Sequence, residues 1–459
     1  MRRSGKRRSV SRSSVWGVLV GKHGSQGKFH ALRWSSRTIL IPRGRIVQEF
    51  QTLTQHESLL TSMQRNLNSI CGANFEMTQA KLVFLTVSMA ALLSTAACSR
   101  QDGVRKISGQ GFSLDVHDHS GSLTRLLAIN SENHVLGLLE RPGEKTEEVF
   151  DHIYFYHDGR KKSELPKLDG FTNIEAVHLS DNGLVVGFAS RRLGHPDGSL
   201  AAILWEPAKE KLTKLNPVEG DNASHAQSIS ADGQKITGYS TGANPARLRP
   251  CVWTQKNGKW VAEALPVAFE FNPFLMSGGA VISPNGKIIA ASITEEQTGN
   301  GIYDSSVFIW QEKNGAWEGE FVCSDPMRIH SVNNQGECVG EFTVRAGRMP
   351  FKIAKDGMVT ALPLLEGDTT GEAWAINDQG VVVGISDNFS APDGGPRPVR
   401  WVGDKVEPLK LPEGSEFGGS YAINKHGRIA GMSDFPIEAA NEQPETKAMG
   451  FIWAAAVSK

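Results

Sequence analysis

Short apolar runs separated by turn residues recur along this chain from about residue 123 to its end. The segment from Gly371 to Trp401 shows the pattern most clearly. An apolar run ends in Ala375-Ile376-Asn377, a turn follows at Gly380, and a second apolar run leads to Gly384. Runs of this length, rich in β-branched and aromatic residues and bounded by Gly, Asn and Asp, predict β-strands. Their return at a fixed spacing predicts a repeat architecture.

Seven copies of the pattern align on the first turn. The turn position is occupied by Asn133, Gly183, Gly233, Gly286, Gly336, Gly380 and Gly427. Successive turns lie 50, 50, 53, 50, 44 and 47 residues apart. Gly tolerates the positive φ that a tight hairpin requires, and Asn is the next best residue in that conformation. The aligned turn positions therefore predict a residue in the left-handed conformation in each of seven hairpins.

Each copy continues with a polar loop, a third apolar strand and a second turn. The third strand ends in Trp in five copies: Trp205, Trp253, Trp310, Trp401 and Trp453. A fourth strand follows and often ends in Leu-Pro, as at Leu265-Pro266 and Leu362-Pro363. Four antiparallel strands repeated seven times predict an all-β fold, a seven-bladed β-propeller of four-stranded blades. The alternative is a linear β-solenoid, whose repeats are usually shorter.

The phasing of the copies favours a closed ring. The seventh copy ends at Trp453 without a fourth strand, and a strand-like run, 112–116, precedes the first copy. We expect this run to pair antiparallel with 450–454, which would leave no open sheet edge. Phe112, Leu114 and Val116 alternate along the run, so they are expected to be buried on one face.

The phrase Ala-Ile-Asn-x-x-Gly-x-Val-Val-Gly, followed by an aliphatic strand that ends in Trp, resembles the HAF family of bacterial extracellular repeats. The resemblance covers roughly residues 123–453, with Ile353 in place of one Trp and Ala290 in place of one second Gly. It implies a secreted or surface β-propeller, and it brings no known catalytic residues.

Residues 1–76 lie outside the repeat. They contain 13 Lys or Arg and 3 Asp or Glu, and no periodicity runs through them. We interpret them as a non-native or disordered basic leader. The alternative is a basic segment that binds nucleic acid or a membrane surface.

Residues 77–97 have the organisation of a secretory signal peptide. Lys81 precedes a run of 12 apolar or small residues, and Thr95-Ala96-Ala97 then precedes Cys98. This end resembles a bacterial lipobox, with Thr95 where an aliphatic residue is usual. We therefore expect lipidation of Cys98, which would anchor the protein in a membrane as an outer-membrane lipoprotein of the bacterial envelope, facing the periplasm or the cell surface. The alternative is an ordinary signal peptide cleaved near Ala97.

The predicted mature chain would consist of a tether, 98–111, and the propeller, 112–459. It contains 35 Lys or Arg and 46 Asp or Glu, a net charge of −11 with His neutral, because the leader and Lys81 remove 14 of the 49 basic residues and 3 of the 49 acidic ones. Such a charge argues against nucleic acid as a partner. Cys323 and Cys338 lie on adjoining predicted blades, and an exported chain permits a disulfide there, but spacing leaves the pairing open.

Several common catalytic and cofactor motifs are absent from the sequence. It contains no His-Glu-x-x-His, phosphate-binding glycine loop or Cys-x-x-Cys. The run Asp115-Val116-His117-Asp118-His119 has metal-ligand residue types, but no second ligand cluster accompanies it, so we interpret it as a solvated turn. No cofactor or metal is predicted.

The candidate binding residues lie in the long loops between second and third strands and at the starts of inner strands, which share one face of a propeller. They are His225, Arg247, Arg249, Arg328, Arg345, Glu372, Trp374 and Tyr421. A cationic, aromatic mouth on an acidic body suits an anionic or sugar-like ligand. Exposed loop charges usually contribute little stability, so Arg247, Arg249 and Arg345 are expected to matter for binding rather than for folding.

Three functions remain open from the sequence. The first is a lipid-anchored, monomeric binding or scaffold module for an envelope protein or a glycan, which the regular repeats favour. The second is a propeller enzyme of the polysaccharide lyase or hydrolase type with its site in the channel mouth. The third is a purely structural envelope protein.

Overall fold

The computed structural model describes residues 103–107, 111–115, 123–142, 150–191, 200–243, 246–267, 280–297, 303–324, 327–344, 347–388, 394–437 and 445–453. The leader, the signal peptide, Cys98 and the run 116–119 lie outside these residues.

The described part of the chain forms 29 strands. They are β1 (Gly103–Ile107), β2 (Gly111–Asp115), β3 (Leu123–Ile129), β4 (Val135–Pro142), β5 (Phe150–His157), β6 (Lys162–Glu164), β7 (Asn173–Leu179), β8 (Val185–Ser190), β9 (Leu200–Glu206), β10 (Lys211–Leu215), β11 (Ala223–Ile229), β12 (Lys235–Ala243), β13 (Ala246–Lys256), β14 (Lys259–Ala264), β15 (Val281–Ile282), β16 (Ile288–Gln297), β17 (Tyr303–Lys313), β18 (Ala316–Ser324), β19 (Met327–Val332), β20 (Cys338–Val344), β21 (Gly347–Ile353), β22 (Val359–Ala361), β23 (Thr370–Ile376), β24 (Val382–Asp387), β25 (Arg397–Val402), β26 (Lys405–Pro408), β27 (Gly418–Ile423), β28 (Ile429–Ile437) and β29 (Glu445–Trp453). A single 3-10 turn, Pro207–Lys209, interrupts them.

The strands form seven antiparallel sheets, which are the blades of a β-propeller. Six sheets have four strands each, and blade 1 is the sheet β3-β4-β5-β6. Blade 7 is the sheet β27-β28-β29-β2-β1. The predicted fold class is therefore confirmed as a seven-bladed propeller.

The turn residues behave as the sequence predicts. All seven have positive φ, from 65° at Asn133 to 87° at Gly336. Asn133 is one of four non-glycine residues with positive φ in the described part of the chain.

The N-terminal strand β2 runs antiparallel to β29, with Gly111 opposite Trp453 and Ser113 opposite Phe451. This backbone register corresponds to the expected pairing of 112–116 with 450–454. The side chains of Phe112 and Leu114, and the whole of Val116, lie outside the described part, so their burial stays a prediction. The contribution of this strand to ring closure also stays a prediction.

A second junction joins blade 7 to blade 1 without the N-terminal strand. Leu126 and Phe155 of blade 1 pack in one buried cluster with Ala422, Ala430 and Ile452 of blade 7. Both Leu126 and Phe155 are fully buried. Because removal of apolar surface from water stabilises folding, this junction closes the ring by packing.

The repeated Trp at the end of the third strand connects neighbouring blades. Trp205, Trp253, Trp310 and Trp401 are among the largest fully buried side chains. The indole N–H of Trp310 donates to the carbonyl of Pro266 at 2.6 Å, and that of Trp401 donates to the carbonyl of Pro363 at 2.7 Å. The two repeated signals, Trp and Leu-Pro, are thus partners across a blade interface, and the bond satisfies a buried indole donor.

One expectation about the loops needs correction. Arg247 and Arg249, expected in a long loop, lie on strand β13, which starts at Ala246 shortly after β12 ends at Ala243. The pairing of Cys323 and Cys338, left open by the sequence, is answered as well, because the two residues form no disulfide.

Candidate functional site in the central channel

A β-bulge shapes six of the seven inner strands. In each strand the register skips one residue: Leu127, Val177, Gln227, His330, Trp374 and Tyr421. A bulge re-aims the extra residue. All six line the central channel.

The second Gly of the repeat makes room for the bulge. A Cβ atom on Gly384 would lie 1.9 Å from the carbonyl oxygen of Glu372, and one on Gly187 would lie 1.9 Å from that of Glu175. No real Cβ approaches backbone oxygen so closely. Gly is therefore needed at this position because two strands approach each other closely, and not because of a turn.

The channel contains a cavity of about 700 Å³. Its wall runs from the bulge residues to the turns that end the inner strands, including Asn130, Asp181, Asn377 and Asn424. We call this end of the channel the turn face, and the opposite end, where the inner strands begin, the loop face. The sequence directed attention to the loop face, whereas the cavity extends to the turn face.

Blades 5, 6 and 7 supply an aromatic wall. The rings of His330 and Trp374 are 4.4 Å apart between centroids, and those of Trp374 and Tyr421 are 5.9 Å apart and nearly perpendicular. Leu127, Val177 and Gln227 of blades 1 to 3 form the other side of the bulge layer. The cavity is therefore aromatic on one side and aliphatic or amide on the other.

A buried carboxylate holds His330. Nε2 of His330 lies 3.0 Å from Oε2 of Glu341, whose side chain is only 5% exposed. Burial by itself would raise the pKa of Glu341, but the hydrogen bond with His330 and the charges of His330, Arg348 and Arg328 lower it overall. Glu341 is therefore ionised near pH 7 and accepts a hydrogen bond from Nε2–H of His330.

The pKa of Glu372 shifts in the opposite direction. Burial raises its pKa, and the negative charge of Glu341 acts in the same direction. Arg348 opposes the rise through an ion pair with Glu372 and also lies 3.9 Å from Glu341. Two neighbouring carboxyl groups with opposite pKa shifts thus stand behind the aromatic wall.

On the blade 1 and blade 2 side, Arg125 and Glu175 also face the cavity. The guanidinium of Arg125 lies 3.3 Å from Glu140. Burial raises the pKa of Glu175, while the nearby charge of His152 and a hydrogen bond with Tyr154 oppose the rise. Arg125 and Glu175 therefore each interact with other side chains of the protein.

The turns form a continuous hydrogen-bonded belt around the turn face. Asn130 Nδ2 donates to the carbonyl of Ser180 at 3.1 Å, and Asn333 Nδ2 donates to that of Asn377 at 3.2 Å. Asn424 Nδ2 donates to the carbonyl of Asn130 at 2.9 Å, which joins the last blade to the first. Asn377 Nδ2 makes the same kind of bond to the carbonyl of Asn424, and the three other junctions use backbone N–H donors in the turns. The Asn of Ala-Ile-Asn is thus an inter-blade connector as well as a turn residue.

Arg249, which was expected to recognise a ligand, has a carboxylate partner instead. Arg249 binds Asp221 at 2.8 Å, and the Asp221 side chain is fully buried. Arg397 binds Asp368 at 2.5 Å in the corresponding loop of blade 6. This ion pair argues against the expectation that Arg249 matters little for folding, because removal of Arg249 would leave a buried carboxylate without its cation.

His225 also differs from the prediction. Its ring stacks between Phe188 of blade 2 and Tyr239 of blade 3, with centroid distances of 4.0 and 4.8 Å. Burial lowers the pKa of His225 to about 3, so the imidazole is neutral at pH 7. It is a packing residue of a blade interface rather than a mouth residue.

The remaining candidates divide into three groups. Trp374 and Tyr421 line the cavity as expected. Arg328 and Glu372 lie two positions before the bulges of blades 5 and 6, towards the loop face. The side chain of Arg247 and the whole of Arg345 lie outside the described part of the chain.

Sequence reasoning missed His330, Glu341 and Arg125. The bulge residues could have been found, because each lies three positions before the Asn or Ser that starts the turn, as in Trp374-Ala375-Ile376-Asn377 and His330-Ser331-Val332-Asn333. Glu341 gave no such signal, since its partner is defined only by the fold.

Within the described residues, no group of three or more His, Cys, Asp or Glu side chains could hold a metal ion. Nor does that part of the chain contain a helix long and apolar enough to cross a membrane.

Neither a protein-family model nor a curated protein matches the chain. Solved structures do resemble it. The β-propeller domain of the Trilobed protease from Pyrococcus furiosus has 10% identity and a TM-score of 0.45, over 72% of this chain and 95% of that one. Oligogalacturonate lyase from Vibrio parahaemolyticus has 8% identity and a TM-score of 0.44, over 77% and 95%.

A third similar structure, the Pyrococcus horikoshii acylaminoacyl peptidase, has 11% identity and a TM-score of 0.44. The similarity covers 73% of this chain but only 51% of that enzyme. Resemblance at such low identity concerns the fold and carries no activity across. The chain is therefore described by its own strand topology, as a seven-bladed β-propeller with an aromatic channel.

Proposed function

We propose that this protein is an exported, lipid-anchored β-propeller of the bacterial envelope whose channel binds a glycan or a segment of another envelope protein. The observation that carries the binding role is the cavity of about 700 Å³ with an aromatic wall on three adjacent blades. Ligand sites are typically concave, about 300–1,000 Å³, and lined by aromatic side chains with a few polar groups.

The bulges support this role over a purely structural one. A channel residue that only filled space could follow a regular strand. Here six inner strands each insert an additional residue that faces the channel, and Gly187 and Gly384 accommodate the distortion. Bulges are over-represented beside functional sites, where they redirect a side chain.

Binding can be tested with the purified protein on a glycan array and in pull-downs from an envelope fraction. Trp374→Leu should reduce capture strongly, because it removes the central ring of the wall. Trp260→Leu is the matched control, since Trp260 lies on β14, outside the channel. Equal capture by the two variants would exclude the channel as the site.

The anchor rests on the sequence of the signal peptide and Cys98. Growth with a palmitate analogue should label the wild-type protein, and Cys98→Ala should abolish the label and release the protein from the membrane. Label and membrane association that persist in Cys98→Ala would contradict lipidation at this residue.

The two carboxyl groups behind the wall favour an enzyme as a second candidate function. Opposite pKa shifts in neighbouring groups are a common basis for separate acid and base roles. The pKa of Glu341 is lowered and that of Glu372 is raised, and the Glu341 carboxylate lies 3.0 Å from Nε2 of His330. Turnover of a polysaccharide by the wild type that is lost in Glu372→Gln would favour the lyase or hydrolase alternative over binding alone.

A further inference from the structure

The charges that face the cavity offer no strong site for an anion. Of the cations among the described lining residues, Arg125 lies 3.3 Å from Glu140 and Lys425 lies 3.8 Å from Asp181. His178 accepts a hydrogen bond from the Ile229 N–H at 3.3 Å. Burial lowers the pKa of His178 to about 4, so it adds no positive charge at pH 7.

Carboxylates remain available as acceptors around the same cavity. Glu175, Asp181 and Asp378 line the cavity. Asp378 binds the backbone N–H and the side-chain amide of Asn334, at 2.9 and 2.6 Å. A carboxylate has about four acceptor sites, so it can also accept a bond from a ligand hydroxyl. An anionic ligand would instead meet repulsion here.

His330 supplies a nitrogen fixed in position. Glu341 holds Nε2 of the ring at 3.0 Å, so Nδ1 is the ring nitrogen left for a ligand. Among the described residues, Nδ1 has no hydrogen-bond partner, while the ring lines the cavity and packs on Trp374. This nitrogen is therefore suited to a hydrogen bond with a hydroxyl group in the channel, since a hydroxyl can both donate and accept.

The aromatic wall adds a surface for weakly polar C–H groups. The faces of aromatic rings carry negative charge density and attract the positive edge of a neighbouring group. A pyranose combines such a C–H face with a rim of hydroxyl donors. It therefore matches a cavity that combines an aromatic wall, lining carboxylates and one imidazole nitrogen.

We infer that the channel binds an uncharged pyranose unit of a glycan, with one hydroxyl hydrogen-bonded to Nδ1 of His330 and the C–H face of the sugar against the wall formed by His330, Trp374 and Tyr421. This inference rests on the proposed function and narrows its ligand class. It also replaces the anionic ligand that the loop arginines suggested from the sequence.

Calorimetric titration of the full-length protein at pH 7 tests the inference with two ligand series of equal length, neutral oligosaccharides and uronate oligosaccharides. The neutral series should bind more tightly. His330→Phe keeps a ring in the wall and removes Nδ1, so affinity should fall about 3- to 10-fold, as for loss of one hydrogen bond. His225→Phe, a histidine outside the channel, is the matched control and should keep wild-type affinity.

Glu341→Gln provides a second test if His330→Phe unfolds, since it replaces the carboxylate that holds Nε2 of His330 in position. It should also weaken binding of the neutral series. Wild-type affinity in both His330→Phe and Glu341→Gln would overturn the inference.

Tighter binding of the uronate series would contradict a neutral sugar as the ligand, but it would leave the channel as the binding site. The proposed function itself would fail if neither series nor any envelope protein bound in a manner sensitive to Trp374→Leu. The two failures are therefore distinguishable.

Discussion

The side-chain amide of Asn424 donates to the backbone carbonyl of Asn130 at 2.9 Å, across 294 residues of sequence. The same amide lies 3.2 Å from Oδ1 of Asn133, the one turn residue of the seven that is not Gly. Asn424 Oδ1 meanwhile accepts from the N–H groups of His426 and Arg428 in its own turn. One side chain thus fixes a turn and joins the last blade to the first.

We predict that Asn424→Ala destabilises the protein by about 1–3 kcal/mol, the cost of leaving a buried partner without its hydrogen bond. Asn424→Ser separates the two roles, because Ser180, Ser230 and Ser283 occupy the same position in blades 2 to 4. It should preserve the turn and lose only the link between blades, giving an intermediate effect. Urea denaturation measures both, and unchanged stability in Asn424→Ala would show that the belt does not hold the ring.

Gly384→Ala should destabilise the protein strongly. The new Cβ would lie 1.9 Å from the carbonyl oxygen of Glu372, so β23 or β24 must shift and the bulge at Trp374 with it. The melting temperature and the affinity for ligand should both fall. Ala290 already carries a Cβ at the corresponding position of blade 4, so Ala290→Gly serves as a control with a small effect. Normal stability in Gly384→Ala would contradict the close approach.

His225 should make the protein less stable as the pH falls. Its pKa is lowered by burial to about 3 in the folded protein, from an ordinary value of 6.5. Its favourable contribution is therefore present above pH 6.5 and is lost as the pH falls from there towards 3, because only the unfolded chain takes up the proton.

His225→Phe preserves the stack between Phe188 and Tyr239 but cannot be protonated. Its unfolding free energy should change less between pH 7.5 and pH 5 than that of the wild type. Denaturant titrations at the two pH values measure the difference. His178, whose pKa is also lowered by burial, remains in both proteins, so some dependence of stability on pH should remain in the variant. Identical slopes would show that His225 is not buried as a neutral ring.

Deletion of residues 104–118 should lower stability and promote aggregation. The deletion would leave the outer edge of β29 without a partner, and an exposed sheet edge pairs readily with other chains. The cluster around Leu126 and Ile452 would still close the ring, so we expect a folded but less stable protein. Circular dichroism and light scattering report the two effects. Wild-type stability and solubility would contradict a closing role for β2.

The sequence was sufficient for the fold because the repeat encodes local chemistry. Positive φ at Asn133 and six glycines follows from the turn alone. Buried third strands follow from the apolar runs that end at residues such as Trp253 and Trp401. These features depend on neighbours in sequence, so periodicity predicts them directly.

The site was predicted only in part because its chemistry depends on neighbours in space. Arg249 seemed available for a ligand until the fold placed it on Asp221. His225 seemed to start an inner strand, yet its ring enters a blade interface. Glu341 became relevant only through His330, eleven residues away on the paired strand. Trp374 and Tyr421 were found because they adjoin the Ala-Ile-Asn phrase, whose position fixes the bulge.

The most direct test of the account compares ligand binding at the two ends of the channel. Affinity for the ligand that the array or pull-down identifies should be measured for Trp374→Leu, in the wall of the cavity, and Arg328→Ala, towards the loop face. The account predicts at least about a 10-fold loss for Trp374→Leu, near 1.4 kcal/mol, with little change for Arg328→Ala. Wild-type affinity in Trp374→Leu together with a large loss in Arg328→Ala would place the site on the loop face and contradict the account.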